Sequence, residues 1–525
     1  MKMNNEKGTV VTDGRGGLAN PGPSASARLS PAAFLLLLAV SAVAAVAASH
    51  TSFSAVIGLI MLALALGATF NYPRVALFVF LLYTSSILAP EHFYYYVDPN
   101  FVYWGAELFL LVLVAGAIRQ RVREAPGAFH DYFTSPVAVS LTVLGSVISI
   151  KSIVFLVEMG FPQWAFSHVY TFNRSLGFFA LFVPVFLLFN NSRRQRLFFY
   201  GLYGIGVFVA LRVLLEAVMP DLAIFEWIGL RQALAVEFPS VDPTVLRLRA
   251  PGGSIVQICF WLGMMNLVLR PWSVRRLALL VPVTLLMLTV ILLEFNRSYV
   301  IPILGLMVVA MLLNQRGVRL KLAGLLGMIG VGLVLFSIAT GTTGSYVDAI
   351  SERYSSAFAE ETFTSLSLSS RNVENDYAWQ SIRREPVFGI GIAELYRPPI
   401  PGMLDNLRWY IHNAYLWYWV YFGFIGLAAL LIAVAVAVVR GFFSWRQVSD
   451  PFLQAGLLAL VFTLLTLSAA SFYAPRFYEY GTVPVIAVTI GMIEAIVAAS
   501  RRARLPGGEP AESAAAPEGG DDGRP

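Results

Sequence analysis

The chain has 525 residues, 57% of them apolar and 13% charged, with a formal net charge of +6. A soluble globular chain carries roughly a quarter charged residues, so the solvent for most of this one is lipid. Its 33 Arg and four Lys fall in short clusters between apolar runs, which excludes a continuous basic face and a nucleic-acid partner, and its single Cys259 excludes an intramolecular disulfide or a cysteine-based metal site.

Residues 1–30 are polar and rich in Gly, Pro, Ser and Ala, the composition of a disordered cytoplasmic tail. A transmembrane helical bundle follows over 31–499. Its apolar runs lie at 31–49, 53–70, 73–90, 101–118, 136–157, 175–190, 197–219, 254–270, 277–293, 298–314, 320–341, 413–439, 452–473 and 481–499. Most are close to the ~20 residues a helix needs to cross a ~30 Å hydrocarbon core. The first run ends in Ala-rich sequence resembling a signal-peptide cleavage site, but the long polar tail before it and its own length oppose cleavage. Residues 500–525 form a second disordered, polar cytoplasmic tail. The fold class expected is an all-α polytopic membrane protein of about fourteen transmembrane helices with two long extracytoplasmic loops.

Orientation follows from the basic residues. With the N-terminus inside, the inner loops hold Arg119, Arg121 and Arg123; Arg193, Arg194 and Arg196; Arg270, Arg275 and Arg276; Arg316, Arg319 and Lys321; Arg440 and Arg446; and Arg501, Arg502 and Arg504. The short outer loops hold one Arg each at most, namely Arg174, Arg297 and Arg476. An even number of spans with both termini cytoplasmic satisfies this asymmetry. Two long extracytoplasmic loops remain, 220–253 and 342–412, and loops of this length are usually functional or disordered. Trp227, Phe238, Trp379 and Trp409 give them the aromatic content of folded segments.

The larger loop contains SSRNVENDYAWQSIRREPVFGIGIAELY, residues 369–396. Val373, Tyr377, Ala378 and Ile382 recur at helical spacing, Ser369 or Ser370 can cap the start, and Pro386 marks the end. Arg371 falls in the first turn of that predicted helix, where free backbone N–H groups already favour an anion. Gly389-Ile390-Gly391 allows a tight turn with close backbone approach. The loop closes on His412-Asn413-Ala414-Tyr415-Leu416 at the mouth of the next run, with Gly423 and Gly426 following. An imidazole there can accept a proton near neutral pH. Arg297 and Arg249 stand at the outer ends of other runs, where positive charge needs an anionic partner; guanidinium is suited to bidentate phosphate contacts.

The pattern Arg371…Trp379…Pro386-x-x-Gly389-x-Gly391…His412-Asn413-x-Tyr415-Leu416…Gly423-x-x-Gly426 resembles the signature of the O-antigen ligase and O-antigen polymerase superfamily. Arg297 is similar to the family's Ser-Arg motif, with Asn296 where Ser is common, and Arg249 matches a basic position in its other outer loop. The Pro-Asn often found after that Arg is replaced by Ala250-Pro251, which leans away from the ligase branch. The resemblance covers roughly 245–430 and implies a GT-C-type O-antigen ligase fold in the bacterial inner membrane. It implies a glycosyltransferase acting on an undecaprenyl-diphosphate-linked glycan at the periplasmic face, without metal or other cofactor. Arg249, Arg297 and Arg371 would bind the diphosphate and His412 would be the general base; Asn413, Trp379 and Tyr415 would position acceptor or donor. Its partners would be the lipid-linked glycan, the lipid bilayer and other polysaccharide assembly and export proteins. Polymerisation of repeat units for O-antigen, capsule or exopolysaccharide is the first reading, and ligation to another lipid the second.

Plainer roles remain for the same residues. His412 can hydrogen-bond a loop carbonyl, and a single Arg at an outer span end can snorkel to lipid phosphate. His92 and His168 read as interfacial, and Arg383 and Arg384 as solvated. Arg212 and Glu216, four apart, can pair on one helix face. Lys151, deep in a run, requires a partner that the sequence does not name, a carboxylate or the carrier's phosphate. A transporter or lipid-linked glycan flippase is the rival class, but no internal repeat is visible and the notable residues concentrate at one membrane face. The joint presence of Arg297, Arg371 and His412 opposes a structural export partner with a degenerate site.

Overall fold

A computed structural model of the protein describes residues 63–84, 99–124, 132–173, 175–218, 233–235, 246–248, 252–271, 273–294, 297–312, 366–392, 394–399 and 408–504, with 324 and 327 as isolated helical positions. The expected runs at 31–49 and over most of 320–341, the tail 1–30 and residues 505–525 lie outside them, while 500–502, expected in the second tail, continue the last helix. In chain order the helices are α1 (Pro73–Thr84), α2 (Pro99–Glu124), α3 (Pro136–Met159), α4 (Gln163–Asn173), a 3-10 turn Leu176–Leu181 running into α5 (Phe182–Leu188), and α6 (Ser192–Val218). After them come α7 (Gly253–Leu269), α8 (Val274–Leu293), α9 (Arg297–Leu312), α10 (Leu366–Arg384), α11 (Ala414–Ser444), α12 (Pro451–Ala470) and α13 (Val483–Arg502). The regular structure of the described part is helical except for a ribbon of β1 (Ala233–Ala235) and β2 (Leu246–Leu248), antiparallel with Leu234 opposite Arg247. The helical class expected from the sequence holds, with this short ribbon in the loop after α6.

Among the described residues six helices are long and apolar enough to cross a membrane, within α3, α6, α8, α11, α12 and α13. Four shorter apolar helices, Pro73–Thr84, Leu176–Leu188, Gly253–Leu269 and Ser298–Ala310, fall on further apolar runs of the sequence. Helix boundaries follow local chemistry. Asp450 caps α12 by accepting the Phe452 N–H at 2.8 Å, with Pro451 in the first turn where its missing N–H costs nothing. α3 ends on Gly160 in the left-handed region, φ 73°. The chain turns there into α4, a helix that the sequence pattern did not predict.

Burial sorts the bundle. Every residue from Ser254 to Val268 of α7 and from Val483 to Val497 of α13 is buried, so these helices are enclosed on all sides and central. α7 packs along α12 and α8, α13 along α5 and α12, and α3 along α11. α3 is peripheral, exposing Val139, Val143, Ile150, Ile153, Val154 and Val157 as a lipid-facing stripe.

The ends of α11 define two poles. Near Arg440 the arginines meet the few acids: Arg440 pairs with Glu494 at 2.8 Å, Arg194 with Glu124 at 2.6 Å, Arg74 with Glu124 at 2.8 Å and Arg196 with Asp450 at 2.5 Å. At the other pole lie the start of α11, α10 and the α12–α13 loop, 471–482.

Candidate active site

α11 is broken at Gly423, whose φ of 67° and ψ of −173° interrupt the helical ladder. A break inside an apolar span strands backbone donors and acceptors that lipid cannot satisfy. The segment after α10 fills it. Pro386 and Val387 carbonyls accept from the N–H groups of Phe424 (3.0 Å) and Ile425 (3.4 Å), while Ile390 and Gly391 N–H groups donate to the carbonyls of Val420 (2.8 Å) and Tyr421 (3.3 Å). The Trp419 indole N–H adds a bond to the Pro386 carbonyl at 3.0 Å. The backbones approach so closely that a Cβ on Gly389 would stand 2.5 Å from the Gly423 nitrogen, and one on Gly423 would stand 2.1 Å from the Val387 oxygen. Both glycines also have φ near 70°. This clasp seats α10 against α11.

Two side chains from the α3–α4 region close the clasp. Lys151 Nζ donates to the Gly389 carbonyl at 3.0 Å, which supplies the partner its sequence position demanded. His168 Nε2 lies 2.8 Å from the Ile392 carbonyl, its ring against Phe155 and Phe172. His168, read from the sequence as interfacial, is part-buried and adds a side-chain contact to the clasp.

The clasp brings α10 beside the start of α11. Arg371, Glu374, Asn375 and Ala378 recur at three and four residues, so they share one helix face. Glu374 is 4% exposed, and its Oε2 lies 2.8 Å from His412 Nδ1 and 3.2 Å from the His412 backbone N–H. An ionised carboxylate only accepts, so this contact places the imidazole proton on Nδ1 and leaves the Nε2 lone pair free. Asn413 caps α11: its Oδ1 accepts from the N–H groups of Tyr415 (3.0 Å) and Leu416 (3.2 Å), which leaves its amide NH₂ available. One pocket is lined by Arg371, Asn372, Asn375, His412, Asn413, Phe472 and Tyr473. Among the described residues none accepts a hydrogen bond from the Arg371 guanidinium, and its Nε is buried without a partner.

The α12–α13 loop forms the other wall. The Ser471 carbonyl accepts the Ala414 N–H at 2.9 Å, and Tyr478 Oη bridges to both main-chain groups of Ile411. Tyr410 stands edge-on to His412, ring centroids 4.8 Å apart, and burial, with Glu479 and Glu374 nearby, pushes its hydroxyl pKa up to about 12. It therefore stays a neutral phenol around neutral pH. Arg476 pairs with Glu479 and lies over the Tyr299 ring at 4.3 Å. Burial opposes its charge, but Glu479 overcomes that and raises its pKa. Thr482 Oγ1 donates to Glu479 at 2.9 Å and lies 3.4 Å from Ser254 Oγ. The starts of α7 and α9 thus converge on the loop that walls the His412 pocket.

The expected site residues fare unevenly. Arg371, His412 and Asn413 line one pocket. Tyr415 stands behind it, its ring 4.6 Å from that of Phe472. Trp379 is 42% exposed and packs edge-on to Trp419, on the flank of α10 and outside the pocket lining. Arg297 begins α9, two residues before Tyr299, whose ring carries Arg476; the Arg297 side chain lies outside the described residues. Arg249, His92 and Arg174 lie outside the described residues. α10 starts at Leu366, three residues ahead of Ser369, so Arg371 sits in the second turn rather than at the free N–H groups of the helix end. Sequence reading missed Glu374, Tyr410, Phe472 and Tyr473. The spacing of Glu374 between Arg371 and Ala378 carried its signal, since all three share a face.

Residues 282–431 match the family model described as O-antigen ligase. The match runs from α8 through the first half of α11 and includes Arg297, Arg371, Glu374, the clasp and His412; Phe472 and Tyr473 lie beyond it. No curated protein matches the chain. The resemblance to the O-antigen ligase and polymerase superfamily therefore holds, and it implies a glycosyltransferase-type membrane enzyme.

Proposed function

We propose that the chain polymerises oligosaccharide repeat units carried on undecaprenyl diphosphate, at the extracytoplasmic face of the bacterial inner membrane. The observation that supports this most is the shared pocket of an unpartnered arginine and an imidazole whose Nδ1 faces a buried carboxylate. The acceptor hydroxyl gives its proton to His412 Nε2 as its oxygen bonds to the anomeric carbon of the donor sugar. The bond from that carbon to the diphosphate oxygen breaks, and the electron pair leaves with the diphosphate. Arg371, with Arg297 and Arg249 in the same role, stabilises the charge developing there, which is usually the largest electrostatic contribution in a dry site. Glu374 orients the imidazole and stabilises the imidazolium. Attack from the face opposite the diphosphate inverts the anomeric configuration.

A ligase reading is favoured by the description of the matching family model, and the replacement of Pro-Asn by Ala250-Pro251 opposes it. The two are separated by what a His412→Ala strain accumulates. A polymerase defect leaves single-repeat lipid-linked units; a ligase defect leaves long carrier-linked polymer. Unchanged glycans in a strain with the variant correctly inserted remove His412 from the mechanism.

A further inference from the structure

We infer that Phe472 and Tyr473, with the amides of Asn375 and Asn413, form the seat of a pyranose ring of the acceptor glycan. The inference rests on the reading above and gives its site a substrate-binding surface. Phe472 and Tyr473 are 56% and 62% exposed, yet both line the pocket that holds Arg371 and His412. Aromatic rings at an outer membrane boundary ordinarily belong to a lipid-facing belt. These two instead stand in a fixed relation to the imidazole. The Phe472 ring rests on Tyr415, whose hydroxyl donates to the Ser468 carbonyl at 2.7 Å, and the preceding Ser471 carbonyl takes the Ala414 N–H, two residues from His412.

The chemistry of the lining is that of a hydroxyl-rich ring. Primary amides both donate and accept, as sugar hydroxyls do, and the negative face of an aromatic ring suits the C–H face of a pyranose. Asn413 has its oxygen committed to the helix cap and presents donors only. Among the described residues no group takes the side-chain amide of Asn375. Glu374 is buried and turned to His412, and no carboxylate is among the lining residues, so the seat suits a neutral, hydroxyl-rich ring. The hydroxyl losing its proton must come within ~2.6–3.2 Å of the base. The ring beside His412 is therefore the acceptor, and its specificity is set by the α12–α13 loop, outside the segment matched to the family.

The test uses full-length protein in nanodiscs and, as probe, carrier-free oligosaccharide repeats released by mild acid from the surface polysaccharide of the source strain. Binding is measured by titration calorimetry and transfer by product formation at saturating lipid-linked donor. Phe472→Leu and Tyr473→Leu should each weaken oligosaccharide binding at least tenfold and raise the acceptor KM alike, with donor KM unchanged. Phe472→Trp should restore binding, and His412→Ala should abolish transfer while oligosaccharide binding remains measurable. Thermal melting identifies variants that merely misfold, for which Asn375→Ala, at a half-buried site, serves in their place with the same expected loss. Wild-type-like binding in the folded variants, or a rise in donor KM alone, overturns the acceptor seat and leaves the transferase standing. Oligosaccharide binding that the variants abolish, in a protein that transfers nothing, overturns the transferase and leaves the seat.

Discussion

Glu374 and His412 form a pair that no single stretch of sequence announces. His412 was legible because it opens an apolar span beside Asn413 and Tyr415, and Arg371 because a cation on the outer side requires an anion. Glu374 reads as a solvated charge on an amphipathic helix; only the fold buries it against a ring 38 positions away. Glu374→Gln keeps the hydrogen bond but removes the charge facing the imidazole, which Arg371 and Tyr410 also flank. The imidazolium formed as the hydroxyl gives up its proton then loses its stabilisation. General-base efficiency should fall about 10–100-fold in kcat, with acceptor KM little changed. An unchanged kcat would assign Glu374 a packing role only. Arg371→Ala should cut kcat/KM for the donor about 100-fold or more, the scale for losing one preorganised electrostatic contact. Arg371→Lys should recover only part of it, because a point charge lacks the guanidinium fork.

At the scale of elements, the clasp between the 386–392 segment and the break in α11 is what aligns α10 with His412. The sequence showed Gly389-x-Gly391 as a weak turn signal and Gly423-x-x-Gly426 as small residues within a continuous helix. The break was hidden because the chain that satisfies it arrives from more than thirty residues upstream. Gly423→Ala and Gly389→Ala each force a Cβ into backbone and a disfavoured φ, so both should lose folded protein in size-exclusion profiles. Lys151→Met strands the Gly389 carbonyl and should lower stability by about 1–2 kcal/mol, on the scale of a charge-assisted hydrogen bond, read as a drop in melting temperature. An unchanged melting temperature for Lys151→Met would disconnect that lysine from the clasp. The partner that the sequence left open for Lys151 is the Gly389 carbonyl, with the carboxylates of Glu385, Glu158 and Glu394 around it.

Across the whole molecule, the apolar runs and the arginine asymmetry made the bundle and its two faces readable. The ribbon after α6 and helix α4 were not, being short segments stabilised by tertiary neighbours rather than by periodicity. Cys259 is fully buried, so single introduced cysteines report topology against a silent background. An impermeant maleimide should label Ala474→Cys in intact spheroplasts and Ala503→Cys only after permeabilisation; the reverse pattern would invert the proposed orientation. The central claim, glycosyl transfer with His412 as base, is tested most directly by purified protein in liposomes given lipid-linked repeat units. The account predicts longer carrier-linked glycan with an inverted new linkage and one undecaprenyl diphosphate released per bond, all abolished by His412→Ala. Equal product from His412→Ala, or a retained linkage, would contradict it.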